Sequence, residues 1–126
     1  MSRSLALALA AGGAAALAAC ATPAPDPYAP LDADAHEMSP YKIHEACVKL
    51  APGDRLDWRF ESQAPVDFNI HYHDGPTVVL PVSRTASLGD AGVYVVTLAH
   101  DYCATWETGA LRTAINYRIR PVRGTP

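Results

Sequence analysis

His71 and His73 stand two residues apart in the stretch Pro65-Val66-Asp67-Phe68-Asn69-Ile70-His71-Tyr72-His73-Asp74-Gly75. In an extended chain side chains alternate between faces, so both imidazoles project from one face, with Asp67 and Asn69 beside them. Neutral imidazoles and a carboxylate are a donor set for Zn²⁺ or Cu²⁺. Two histidines do not complete a site. A third ligand would come from Asp67 on the same face, or from His44, His100 or Asp101 on other segments. The opposing reading is a polar strand face that carries two incidental histidines. His36 and Met38 are either loose ligands or ordinary linker residues. Other chemistry has less behind it. Ser39, Ser62, Ser83 and Ser87 sit in turn-like sequence with no nucleophile elbow around them. No glycine-rich phosphate loop occurs. Trp58, Phe60 and Trp106 read as core. The residues therefore point to a protein that is not an enzyme and has no required cofactor, with copper or zinc as the possible exception.

The other side of the same stretch carries Val66, Phe68, Ile70 and Tyr72, so it is a strand with one buried and one polar face. It ends in Asp74-Gly75, a strong hairpin signal, and Thr77-Val78-Val79-Leu80 is the expected partner. Ala46 to Leu50 alternates, and Pro52-Gly53-Asp54 is a turn. Leu56, Trp58 and Phe60 alternate with Asp57, Arg59 and Glu61. Gly92 to Leu98 is so rich in β-branched and aromatic residues that it reads as buried on both faces. Tyr102 to Trp106 is a further strand. In Ala114 to Val122 the pattern points Ile115, Tyr117 and Ile119 inward and Asn116, Arg118 and Arg120 outward. About seven short strands without a convincing helix indicate an all-β fold, an antiparallel β-sandwich.

The N-terminus is of another kind. Arg3 is followed by an apolar run from Leu5 to Ala19 that is short for a membrane span and suited to a signal-peptide core. It ends in Leu17-Ala18-Ala19-Cys20, which resembles the lipobox of bacterial lipoproteins. That resemblance implies cleavage after residue 19 and acylation of Cys20, and several acyl chains anchor a protein stably. Ala21 is not the aspartate that retains such proteins in the inner membrane of enteric bacteria, which favours the outer membrane. Residues 20–40 then read as a tether. Pro23, Pro25, Pro27, Pro30 and Pro40 favour extended backbone, with a reach of about 60 Å at ~3.1 Å per residue. The domain is expected over residues 41–126, its strands running from about Tyr41 to Val122. The net charge is −3, and losing Arg3 with the leader makes it one more negative. Such a mildly acidic, unpatterned surface argues against nucleic acid as a partner.

Of the three cysteines, acylation of Cys20 leaves Cys47 and Cys103. In an exported domain this even pair reads as a disulfide; the competing reading is two free thiols acting as soft metal ligands. A bridge would add roughly 4 kcal/mol in the chain-entropy model.

The order of motifs Glu45-Ala46-Cys47, Val66-Asp67-Phe68-x-Ile70, Asp74-Gly75, Gly92-Val93-Tyr94 and Tyr102-Cys103 resembles the GOLD domain of the p24 family. The resemblance covers about Glu45 to Tyr117 and implies that Cys47 and Cys103 bridge the ends of two strands. Family members continue into a coiled coil, a membrane span and a cytoplasmic tail. None of these follows here, so cargo sorting is not implied. The His71/His73 pair is outside the family pattern. What the resemblance implies is a module that binds a protein or a lipid. The expectation is thus a non-catalytic, lipid-anchored cell-envelope protein with its domain in the periplasm. A periplasm-facing copper- or zinc-binding protein using His71, His73 and Asp67 is the alternative.

Overall fold

The computed structural model describes residues 18–125. Among them are six strands and no helix: β1 (Leu31–Met38), β2 (Ile43–Leu50), β3 (Arg55–Asp74), β4 (Thr77–Val95), β5 (His100–Thr108) and β6 (Thr113–Val122). All pairings are antiparallel. Most of the expected leader, residues 1–17, lies outside the described residues.

The long hairpin of β3 and β4 sets the architecture. On one edge β3 pairs with β4 along both of its halves. On the other edge its first half, Arg55–Ser62, pairs with β6, and its second half, Val66–His71, pairs with β5. β1 lies outside β6 and β2 outside β5. The β3–β4 ladder is interrupted between Glu61 and Val66. There the hairpin bends: Arg84 Nε lies 3.1 Å from Asp90 Oδ2 although six residues of straight strand would span about 20 Å. One sheet is thereby curled into two flanks that face each other.

The alternating apolar residues fill the space between the flanks. Phe60 from one flank and Phe68 from the other meet at 4.7 Å between ring centroids. Trp106 touches both and stacks on Tyr117 at 4.5 Å. Val66, Ile70, Leu56, Ile115 and Ile119 are fully buried around them. Burying each such side chain contributes about 1.5–3 kcal/mol relative to leaving it in water. The flanks also meet along the seam between β1 and β2, where the His36 and His44 rings are 4.0 Å apart and His44 Nε2 is 3.0 Å from the Tyr117 hydroxyl. Burial, and secondarily the neighbouring His36, lowers the His44 pKa from its usual value.

The all-β antiparallel fold with one disulfide is as expected, and four details differ. The strands number six rather than seven, because pairs of short runs join into β3 and β4 through the bend. They form one curled sheet, not two separate ones. Residues 31–38, read as tether, are a strand: β6 offers its outer edge, and Leu31↔Ile119 through Met38↔Thr113 pair along it with one bulge. The free tether therefore shortens to little more than Ala21–Pro27. Finally, Val93 and Val95 are each 57% exposed. Their strand has a neighbour on one side only, so it lies at an edge and not in the middle of a sheet.

Asp54 closes the end of the molecule where the chain enters and leaves. Its carboxylate accepts from the Tyr28 hydroxyl at 2.7 Å, from Ala51 N at 2.9 Å and from Gly124 N at 2.9 Å. Arg123 lies over the Tyr28 ring. These three donors, Gly124 N first, hold the Asp54 pKa below the usual carboxylate value.

Candidate functional site

Two polar clusters lie outside the core. The first is on the outer face of the β2–β5–β3 flank. There Glu45 and Cys47 of β2, Cys103 and Thr105 of β5, and Asn69, His71 and His73 of β3 share one side, because each is one residue out of phase with the buried set. Cys47 and Cys103 are directly opposite in the β2–β5 register and are joined by a disulfide, with Cα atoms 4.0 Å apart. His71 is opposite Cys103. Although on the polar face, His71 is buried; its Nδ1 is 2.9 Å from Asn69 Oδ1 and its Nε2 3.9 Å from Glu45 Oε1. The Thr105 hydroxyl, also buried, donates to Glu45 Oε1 at 3.3 Å. The His73 ring meets that of His71 edge-on at 5.3 Å.

The candidate ligand set His71, His73 and Asp67 is brought together only in part. The two histidines are adjacent, but Asp67 is four residues from His71 along an extended strand, about 13 Å away. Its Oδ1 accepts from Ala86 N at 2.8 Å. His44 points to the core side of β2 and packs against Trp106 and Tyr117. His100 stacks on Tyr72 at 4.6 Å, again off this face. Among the described residues the group of three donors that converges is a different one, Glu45 with Cys47 and Cys103. Cys20 is exposed and unbridged.

The second cluster is at the end opposite Asp54, here termed the tip. β1 runs from beside Ile119 near the Asp54 end to Met38 at the tip, about 25 Å for its eight residues. The tip contains the turn after β1, the turn after β5 and the bend of β3. Tyr41 lies in the left-handed region at φ 55°, a conformation that costs a non-glycine residue about 1–3 kcal/mol and persists only when its surroundings enforce it. They do: Tyr41 N donates to Gly109 O at 3.0 Å and Lys42 N to Thr108 Oγ1 at 2.8 Å. The Thr108 hydroxyl in turn donates to Ser39 O at 2.7 Å. Yet the Tyr41 side chain is 75% exposed. It borders an open depression of about 490 Å³ whose walls include Pro65, Asp67, Glu107 and Leu111. Asp67 and Glu107 are directly opposite each other across β3 and β5. Like charges so placed are unfavourable. Among the described residues no Lys or Arg lines this depression.

No protein-family model matches this chain, and no curated protein does.

Sequence reasoning found His71, His73, Asp67 and both bridging cysteines. It did not find Tyr41, Glu107 or Leu111 as partners of Asp67, or Glu45 as the neighbour of the disulfide. Each depends on which strand lies beside which, and that ordering is not in the local pattern. One local signal was available: Tyr41 follows Pro40 between two alternating runs, in a short turn.

Proposed function

We propose that this chain is a lipid-anchored protein of the bacterial cell envelope, held through Cys20, with a GOLD-like β domain that binds another protein at its tip. The leader and Leu17-Ala18-Ala19-Cys20 support the anchor. Among the described residues no helix is long and apolar enough to cross a membrane. The binding role rests on one observation, the acidic pair Asp67/Glu107 with no cation among the described residues lining its depression, beside an exposed Tyr41 locked in an unfavourable backbone conformation. A rigid aromatic residue at the rim of a pocket is the kind of anchor on which interface energy concentrates. The two carboxylates select a lysine or arginine side chain, and Tyr41 and Leu111 select apolar surface next to it. Anionic lipid headgroups are repelled by the same pair, so a protein partner is favoured over a lipid surface.

The test places a photo-crosslinking residue at Leu111 in the full chain in its own envelope. One defined protein should be crosslinked, and Asp67→Asn with Glu107→Gln should remove that product while Glu61→Gln leaves it. An unchanged pattern in the double variant, or crosslinks to lipid alone, would refute the binding role. Intact mass of the envelope-extracted chain tests the anchor separately: it should begin at Cys20 and carry acyl groups.

A further inference from the structure

We propose that the Cys47–Cys103 pair is a redox gate on a metal site, in which the two thiolates, His71 and Glu45 hold one Zn²⁺ when the disulfide is reduced. The ligand atoms of Glu45, Cys47 and Cys103 all lie within 4.8 Å of one another. His71, just outside that group of three, has its Nε2 3.9 Å from Glu45 Oε1 and is opposite Cys103 in the strand register. Two sulfurs, one imidazole nitrogen and one carboxylate oxygen are a four-coordinate zinc donor set. The imidazole is already oriented. With Asn69 Oδ1 accepting from Nδ1, the lone pair is on Nε2, toward Glu45. That is the outer-shell arrangement metal-binding histidines usually have. Thr105 orients the carboxylate in the same way. His73, with its ring 5.3 Å from that of His71, lies at the rim.

While the bridge is intact the sulfurs are not thiolates and the site is closed. A dithiol reductant opens it. The S–S bond of the protein breaks, two electrons and two protons pass to Cys47 and Cys103, and the reductant leaves as its own disulfide. Zinc then displaces both thiol protons to solvent. The scaffold does not depend on the bridge to keep the sulfurs together. Cys47↔Cys103 is in the middle of an eight-pair ladder from Ile43↔Glu107 to Leu50↔His100. Cys47 is exposed and Cys103 half-buried, so both reductant and ion have access. This site does not rest on the binding role of the tip, which is on a different part of the surface.

The experiment uses the full chain carrying Cys20→Ser, so that Cys47 and Cys103 are the only cysteines. It is reduced with a phosphine and titrated with Zn²⁺ against a chromogenic chelator, with near-ultraviolet circular dichroism recorded in parallel. Reduced protein should keep its aromatic signal and bind one Zn²⁺ per chain, and Co²⁺ in its place should give a thiolate charge-transfer band. Oxidised protein should bind none at the same concentrations. His71→Ala and Glu45→Gln should each weaken binding by about tenfold or more, and Asn69→Ala by about tenfold through the orientation of His71. Reduced protein that binds no Zn²⁺, or that binds equally well with His71→Ala and Glu45→Gln combined, overturns the proposal. So does loss of the aromatic signal on reduction, because the ligands would then no longer be held.

Discussion

Phe68→Ala and Asn69→Ala remove neighbouring side chains from opposite faces of β3, and they should separate sharply. Phe68 is 1% exposed and contacts three aromatic rings, Phe60 at 4.7 Å, Trp106 at 5.5 Å and Trp58 at 6.2 Å. Those rings come from both flanks, so the void cannot close by a shift of one strand alone. Removing a fully buried phenylalanine costs about 3–5 kcal/mol. Native domains are stable by about 5–15 kcal/mol, so the change consumes a large share of the total. For a domain of this size it should lower Tm by about 15–30 °C. Asn69 loses only its contact with His71 on the outer face, and its removal should cost no more than about 1 kcal/mol. Urea unfolding followed by tryptophan fluorescence is the assay, since Trp58 and Trp106 both border Phe68. Equal losses for the two variants would mean that the faces of β3 are exchanged, which a register slip of one residue would do.

Two further outcomes follow from close contacts elsewhere. A Cβ at Gly92 would lie 2.3 Å from Trp58 Cζ2, so Gly92→Ala should cost about 1–3 kcal/mol by overpacking in the same urea assay. An unchanged midpoint would mean that the Trp58 ring has room to swing aside, giving up its Nε1 donation to Asp90 Oδ2. For Asp54 the sign is fixed by its lowered pKa. A carboxylate whose folded pKa lies below its unfolded value adds stability above about pH 4, and this is lost as pH falls through the folded value. Tm should therefore drop in acid for the unaltered chain, and Asp54→Asn should flatten that part of the profile while lowering Tm at pH 7.

The faces of the strands were legible in the sequence where one side is dry and the other wet. Val66, Phe68, Ile70 and Tyr72 are buried as alternation requires, and so are Leu56, Trp58 and Phe60. Ile115, Tyr117 and Ile119 are buried while Asn116, Arg118 and Arg120 are exposed. The disulfide was legible from cysteine number, and the structure forms it. Three features were hidden for physical reasons. β1 has a weak core face, only Leu31, Ala33 and, past a bulge, His36 and Met38, and it exists because β6 supplies hydrogen-bond partners along its length. The bend at residues 62–65, with Pro65 in it, looks like a break in a strand, yet β3 resumes pairing immediately after it. The high β propensity of Gly92 to Leu98 suggested burial, but propensity does not say whether a second neighbour exists. At the site, His71 and His73 were placed correctly on one face. Asp67 was not a neighbour of theirs, because same-face residues four apart are separated by the length of the strand.

The Asp54 clamp limits how far the proposed tip site can reach from the proposed anchor. By holding Tyr28, it leaves only the seven residues 21–27 between Cys20 and the folded body, a leash of at most about 25 Å. If Cys20 is acylated as proposed, some 25 Å of β1 above that leash lets the tip reach at most about 50 Å from the bilayer. Under the proposed function, a partner fixed in the same membrane within that reach would meet the tip at an effective concentration of the order of millimolar. A freely diffusing partner has no such advantage. On that proposal weak contacts at Tyr41, Asp67 and Glu107 would suffice for a membrane-fixed neighbour, and lengthening the leash should weaken capture without altering a single contact.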